Sequence, residues 1–305
     1  MPQSTLRLGT RGSRLALTQA EMVRESLAAA GIACELVPIR TTGDRIQDRP
    51  LAAAGGKGLF TKELEEALLH GRIDLAVHSM KDVPVLLPAD LEITAMLARE
   101  DPRDVFISSR AAALTELPAG ARVGTSSVRR QAQVARARPD VEVMCLRGNV
   151  DTRIAKLDAG AIDALILAYA GVKRLGLEAR ATAVLESKDW LPALSQGAIG
   201  IEVREKDRAT AEIRKLNHRA TAVALACERG FQQALDGSCS TPIAGLATFA
   251  DGVLRFRGEV LAPDGSGFAD TAIECALGDD PERDAAAAGW KAGLGLKPRA
   301  AQWLP

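Results

Sequence analysis

Strand-like apolar runs alternate with helix-period segments over the first two-thirds of this chain, and one strand–turn–helix unit is written twice. Leu8-Gly9-Thr10 leads into a helix starting near Ser13, and Val123-Gly124-Thr125-Ser126-Ser127 leads into another. Gly71-Arg72-Ile73-Asp74 opens the apolar run 73–77, and Gly160-Ala161-Ile162-Asp163 precedes the apolar run 164–168. Alternation of this kind builds α/β sheets with parallel strands. Echoes in the same order point to two α/β lobes of similar build facing a cleft, where ligands usually sit. Ala16, Ala20, Val23, Leu27 and Ala30 recur at helical spacing, with Gly31 placed to end that helix. Phe60, Leu64 and Leu68 mark a second helix, closed by Gly71. Between them residues 41–58, rich in Gly, Asp and Arg, are expected to form a long aperiodic loop of the kind that serves function. The last third changes character: runs 243–249, 254–260 and 271–276 read as strands, and Asp251-Gly252 is a hairpin signal. An Ala-rich helix is expected from about Pro281, which makes this end a small α+β domain.

Charge narrows the function. Lys+Arg number 39 and Asp+Glu 39, so no basic surplus exists for a general nucleic-acid or membrane-surface binder. Aromatics at 3% argue against base stacking. No apolar run reaches the roughly 18 residues of a membrane span. The start passes directly into a strand pattern without a basic-then-apolar leader, so a cytoplasmic location is expected. Five cysteines without a CxxC pair, and only three histidines, favour neither a disulfide scaffold nor a metal site. Cys34, Cys145 and Cys275 lie in strand patterns and Cys227 in an Ala-rich helix, as small core hydrophobes do. Cys239 differs: Gly237-Ser238-Cys239-Ser240-Thr241-Pro242 is a polar loop, where a thiol reacts.

Each Gly-Thr turn ends a strand and starts a helix with small hydroxyl residues, which is the construction of an anion site. Plain helix capping would also account for Ser13 and Ser127. Arg129-Arg130 follow the second turn at once, and Arg147-Gly148-Asn149 and Arg153 come after the next strand. In a parallel sheet these positions share the carboxyl ends of strands, so an anion-binding cleft is expected there. His78-Ser79-Met80-Lys81-Asp82-Val83-Pro84 follows a buried strand. Lys81 and Asp82 could be a catalytic pair or a turn ended by Pro84, Lys81 could form a Schiff base, and His78 reads as a packed residue.

Taken together, Arg11 through Ala16, Gly55 through Phe60, His78 through Pro84, Gly124 through Gln131, Leu146 through Asn149, Ser195 through Ala198 and the Cys239 loop resemble hydroxymethylbilane synthase, the porphobilinogen deaminase family. The resemblance runs in order from Leu8 to about Pro242. It implies two periplasmic-binding-protein-like α/β lobes, residues 1–98 with 198–217 and residues 99–197, and a cofactor-attachment domain over 218–305. It implies a monomeric transferase of tetrapyrrole (porphyrin and heme) biosynthesis that joins four porphobilinogen molecules head to tail, releases ammonia and hydrolyses off the linear product. The chain would grow on a dipyrromethane cofactor held by a thioether to Cys239. Asp82 matches the family's catalytic aspartate. Arg11, Ser13, Lys57, Ser79, Lys81, Thr125, Ser126, Ser127, Arg129, Arg130, Arg147, Gly148, Arg153, Arg174 and Gln196 match positions that bind substrate or cofactor. The other readings are a non-catalytic two-lobed anion-binding protein and, more remotely, a nucleic-acid regulator.

Overall fold

The computed structural model describes residues 5–45, 58–207, 210–236 and 241–304. In chain order the first elements are β1 (Leu6–Arg11), α1 (Arg14–Ala29), β2 (Cys34–Ile39), α2 (Thr42–Arg45), α3 (Lys62–Leu69), β3 (Leu75–Ser79) and β4 (Leu91–Met96). There follow β5 (Asp104–Ser108), β6 (Arg122–Gly124), α4 (Val128–Ala137), β7 (Glu142–Met144), α5 (Val150–Asp158), β8 (Ala164–Ala168), α6 (Tyr169–Arg174) and β9 (Ala183–Leu185). The last are β10 (Ile199–Arg204), α7 (Thr210–Arg214), α8 (Arg219–Ala234), β11 (Ile243–Ala250), β12 (Val253–Leu261), β13 (Phe268–Ala276) and α9 (Pro281–Ala300).

Two five-stranded sheets have one topology. The first runs β2-β1-β3-β10-β4 and the second β7-β6-β8-β5-β9. In each, three strands are parallel, and a fourth lies antiparallel between the third and an edge strand. The sequence echoes are the contacts of this shared construction. Arg7 N–H donates to Asp74 Oδ2 at 2.8 Å, and Asp74 N–H donates back to the Arg7 carbonyl at 2.8 Å. Arg122 and Asp163 make the same exchange at 2.8 and 2.8 Å. Gly9 and Gly124 are each met by an isoleucine, for a Cβ at either position would collide with Cδ1 of Ile73 or of Ile162. The strand–turn–helix unit therefore needs its glycine for packing.

Apolar side chains alternate across β3 in the first sheet. Leu75 and Val77 join Leu8, Ala20, Val23 and Leu27 beneath α1, while Ala76 joins Leu64, Ala67, Leu68 and Ile73 beneath α3. The strand is buried on both faces, which is why it reads as a continuous apolar run.

The chain divides into two compact units. The described residues of Met1–Ile46, Gly56–Glu100 and Ala198–Ala222 form one, and those of Asp101–Gly197 and Val223–Pro305 form the other. The second unit holds the second five-stranded sheet and the antiparallel sheet β11-β12-β13, whose Asp251 (φ 52°) and Gly252 (φ 75°) make the expected tight hairpin turn. Phe231 of α8 meets Phe256 of β12 edge-on at 4.9 Å in the core under this sheet, and α9 packs Ala285, Ala292 and Leu296 onto the same core.

Two expectations need correction. The segment 41–58 is not loop throughout: its described part contains a helical turn, α2, because Thr42 N–H caps onto Glu63 Oε1 at 2.7 Å and Gly43 N–H donates to the Leu59 carbonyl at 2.8 Å. Residues 46–57 of it lie outside the described residues. Cys145 is exposed rather than a core residue, since the edge strand β7 already ends at Met144.

Candidate active site

In the second unit the carboxyl ends of β6 and β7 gather several of the expected residues. Thr125 is buried, and its Oγ1 accepts from Ser127 N–H at 3.2 Å. Ser127 caps α4 and Asn149 caps α5, the latter accepting from Thr152 N–H at 2.8 Å. Arg153 Nε donates to the Gly148 carbonyl at 2.9 Å and its Nη2 to Ser126 Oγ at 3.4 Å. Ser126, Ser127, Gly148 and Arg153 thus form one cluster at two helix N-termini, with Arg147 beside it in sequence. Ser127 and Asn149 act as helix caps, and a capped helix start still presents its dipole to solvent.

Arg129 and Arg130 are placed differently from a ligand-facing pair. They are 3% and 5% exposed and converge on Asp104, which is 0% exposed. Arg129 Nη2 donates to Asp104 Oδ2 at 2.9 Å, and Arg130 donates through Nη2 to Oδ1 at 2.8 Å and through Nε to Oδ2 at 3.1 Å. Trp190 Nε1 (2.9 Å) and Gln196 Nε2 (2.7 Å) complete the cage around the carboxylate. Burial alone would raise the Asp104 pKa. The two guanidinium charges and the hydrogen bonds from Arg130 and Gln196 overcome it and hold the carboxyl far below its usual range. Gln196 also donates to the Pro102 carbonyl at 2.7 Å, clipping together the segments that enter and leave the second lobe. Sequence reading missed Asp104. The available signal was an acid opening the apolar run Val105-Phe106-Ile107, a residue that must be paired if buried.

In the first unit Asp82 sits in a 3₁₀ turn (Met80–Asp82) at the carboxyl end of β3. Met80 is buried, and its N–H donates to the Ala198 carbonyl at 3.0 Å, so the strand re-entering the sheet fixes the turn. Arg11, at the end of β1, brings Nη1 to 3.9 Å from Asp82 Oδ2. Both side chains are part-exposed. Ser13 caps α1, accepting from Ala16 N–H at 3.3 Å. Ser79 Oγ exchanges hydrogen bonds with the Gln19 amide at 2.9 and 3.0 Å. Lys81 precedes Asp82 in the same turn and is part-buried. His78 lies under the sheet with Nε2 2.9 Å from Glu202 Oε2, both buried, in keeping with a packed residue rather than a base.

Arg174, in the second unit, donates from Nη2 to the Gly197 carbonyl at 2.6 Å. Lys57 and Cys239 lie outside the described residues. Burial pushes the Cys227 thiol far up and the Cys34 thiol up as well, which suits neither for nucleophilic work.

The chain matches the family model "Porphobilinogen deaminase, dipyromethane cofactor binding domain" over residues 6–212 and the porphobilinogen deaminase C-terminal domain over 222–297. It is 53% identical over 300 residues to a porphobilinogen deaminase of Nitrobacter hamburgensis, covering 97% of this chain and 93% of that one. The chain belongs to the porphobilinogen deaminase family. The porphobilinogen deaminase of Paracoccus denitrificans is 52% identical over 270 residues, covering 87% of this chain and 86% of that one. Among solved structures, a periplasmic substrate-binding protein of Coxiella burnetii aligns at TM-score 0.44 and 15% identity, covering 70% of this chain and 90% of that one. Membership of the porphobilinogen deaminase family supports the catalytic reading rather than a non-catalytic anion-binding protein. Among the described residues no helix is long and apolar enough to cross a membrane.

Proposed function

We propose that this chain joins four porphobilinogen molecules head to tail, releases an ammonia molecule at each addition, and hydrolyses off the linear hydroxymethylbilane. The observation that carries the reading is the end-to-end likeness to porphobilinogen deaminases, 53% identical over 97% of this chain. A dipyrromethane with acetate and propionate arms fits the donor set at the ends of β6 and β7, where Ser126 Oγ, the Arg153 guanidinium and the α4 N-terminus meet. Bound through a thioether to Cys239, the cofactor supplies the nucleophilic pyrrole carbon on which the first substrate is added.

The protein's part is electrostatic and positional. Loss of ammonia leaves a cation on the aminomethyl carbon of porphobilinogen, delocalised into its ring. The Asp82 carboxylate stands opposite that cation and accepts from the pyrrole N–H, in a turn held by the Met80–Ala198 hydrogen bond. Arg11, Lys57, Lys81, Arg147, Arg153 and Arg174, with Ser13, Ser79, Thr125, Ser126, Ser127 and Gly148, hold substrate and cofactor carboxylates. Arg129, Arg130 and Gln196 support the α4 end of the site through Asp104. We also place the protein in the cytoplasm as a monomer, without nucleic-acid or membrane partners. Free Cys34, Cys145, Cys227 and Cys275 suit a reducing compartment, and a light-scattering mass of twice 32.2 kDa would contradict the monomer.

Incubated with porphobilinogen, the purified protein is expected to release ammonia and yield a product that oxidises to a porphyrin. Binding of porphobilinogen without ammonia release would overturn the assignment.

A further inference from the structure

Arg11 is gripped on more than one side. Its Nε lies 3.4 Å from Asp44 Oδ2 and its Nη2 pairs with Asp44 Oδ1, so one edge of the guanidinium is closed by a bidentate carboxylate. Its face stacks on the Phe60 ring, with Cζ 4.1 Å from the centroid. Only Nη1 is directed to Asp82, at 3.9 Å, beyond hydrogen-bonding distance.

Asp44 is itself fixed. Thr41 Oγ1 donates to its Oδ2 at 2.8 Å and Thr41 N–H to the same oxygen at 3.3 Å. The α2 turn beneath it is seated tightly on Phe60, because a Cβ on Gly43 would collide with the ring. Burial raises the Asp44 pKa, but the Arg11 and Thr41 contacts outweigh it, so the carboxyl stays ionised.

We propose that Asp44 is a positioning residue for Asp82: it occupies Arg11 and so keeps that guanidinium from closing onto the Asp82 carboxylate. The inference rests on the proposed role of Asp82 opposite the substrate cation. Two carboxylates share one arginine here, so Asp82 keeps more of its negative charge for the substrate than it would with Arg11 closed onto it. Without the Asp44 charge, Arg11 is drawn onto Asp82 and that pair becomes neutral. The cation then loses much of its stabilisation although every group at the centre is still present.

The test is single-turnover ammonia release by holoprotein carrying Asp44→Asn, Asp44→Glu, Asp82→Asn, or Asp44→Asn with Asp82→Asn. Cofactor content is checked by mass and KM is measured alongside. Asp44→Asn keeps the side-chain shape and is expected to lower kcat at least about tenfold with KM within about twofold, while Asp44→Glu, which keeps the charge, retains most turnover. In the Asp82→Asn background the Asp44 substitution is expected to add no further loss, since it acts through that carboxylate. Wild-type kcat in Asp44→Asn, an equal loss in both backgrounds, or a deficit explained by missing cofactor would each overturn the proposal. Unchanged turnover in Asp82→Asn alone would overturn the reading beneath it, and this inference with it.

Discussion

Asp82→Asn is expected to lower turnover about a hundredfold to a thousandfold while leaving the fold and pyrrole binding intact. Asn preserves the size of the side chain and its place in the Met80–Asp82 turn, so the Met80 hydrogen bond to Ala198 has no reason to break. What is lost is a full negative charge at the point where ammonia leaves a cation behind. The side chain is about a third exposed, at 31%, so its removal leaves no unpaired group in the core and costs little stability. Stopped-flow measurement of the first ring addition isolates the step: a loss confined to kcat supports the assignment, and near-wild-type addition removes Asp82 from the chemistry.

Asp104→Ala is expected to act on stability instead, at about 3–5 kcal/mol. The substitution strands Arg129 and Arg130, at 3% and 5% exposure, without the carboxylate they share, and takes away the acceptor of Trp190 and Gln196. A loss of that size is comparable to the whole stability of many domains, so poor recovery of folded protein is part of the expectation. Asp104→Asn keeps an acceptor for Trp190 or Gln196 but still lacks the charge, and is expected to fall between. The Asp104 carboxyl is held below its unfolded value, so its contribution is complete above the ordinary carboxylate range and is lost only as pH falls through the lower folded value. Wild type and variant should therefore differ fully at neutral pH and approach one another only in strong acid. A denaturation midpoint unchanged by Asp104→Ala would show that the two arginines find other partners.

The parts of this molecule that were legible in the sequence are those set by local rules. The Gly-Thr turns, the Asp251-Gly252 hairpin and α9 from Pro281 all follow from backbone or periodicity requirements, and their contacts lie close to where the residues predict. The pairing of β5 and β10 antiparallel into otherwise parallel sheets was not legible as pattern, because strand direction leaves no trace in apolar spacing. Re-entry of the chain into the first sheet came only from family resemblance. The same limit explains Arg129 and Arg130. Read locally, two arginines at a helix start are an anion site. Their own anion, Asp104, lies 25 and 26 residues earlier on a strand that only the folded sheet brings alongside. Cys145 went astray by one position, just past the end of a three-residue edge strand.

The pairing of Arg129 and Arg130 with Asp104 bears on the charge available to the substrate. Porphobilinogen brings two carboxylates per ring, while Arg129 and Arg130 are committed to Asp104. With those two guanidiniums engaged, fewer cations are left to face the acid groups of a lengthening product.

The central claim is that the chain builds its product on a covalent cofactor at Cys239, and mass measurement tests it most directly. Intact wild-type protein, denatured before analysis, is expected to be heavier than its sequence by one dipyrromethane, with the added mass on the peptide containing Cys239. Cys145 is the internal control, because it is an exposed thiol outside the Cys239 motif. Cys239→Ala should purify folded, without the adduct and without activity. An active preparation of unmodified mass, or an adduct on the Cys34, Cys145, Cys227 or Cys275 peptide, would contradict the account.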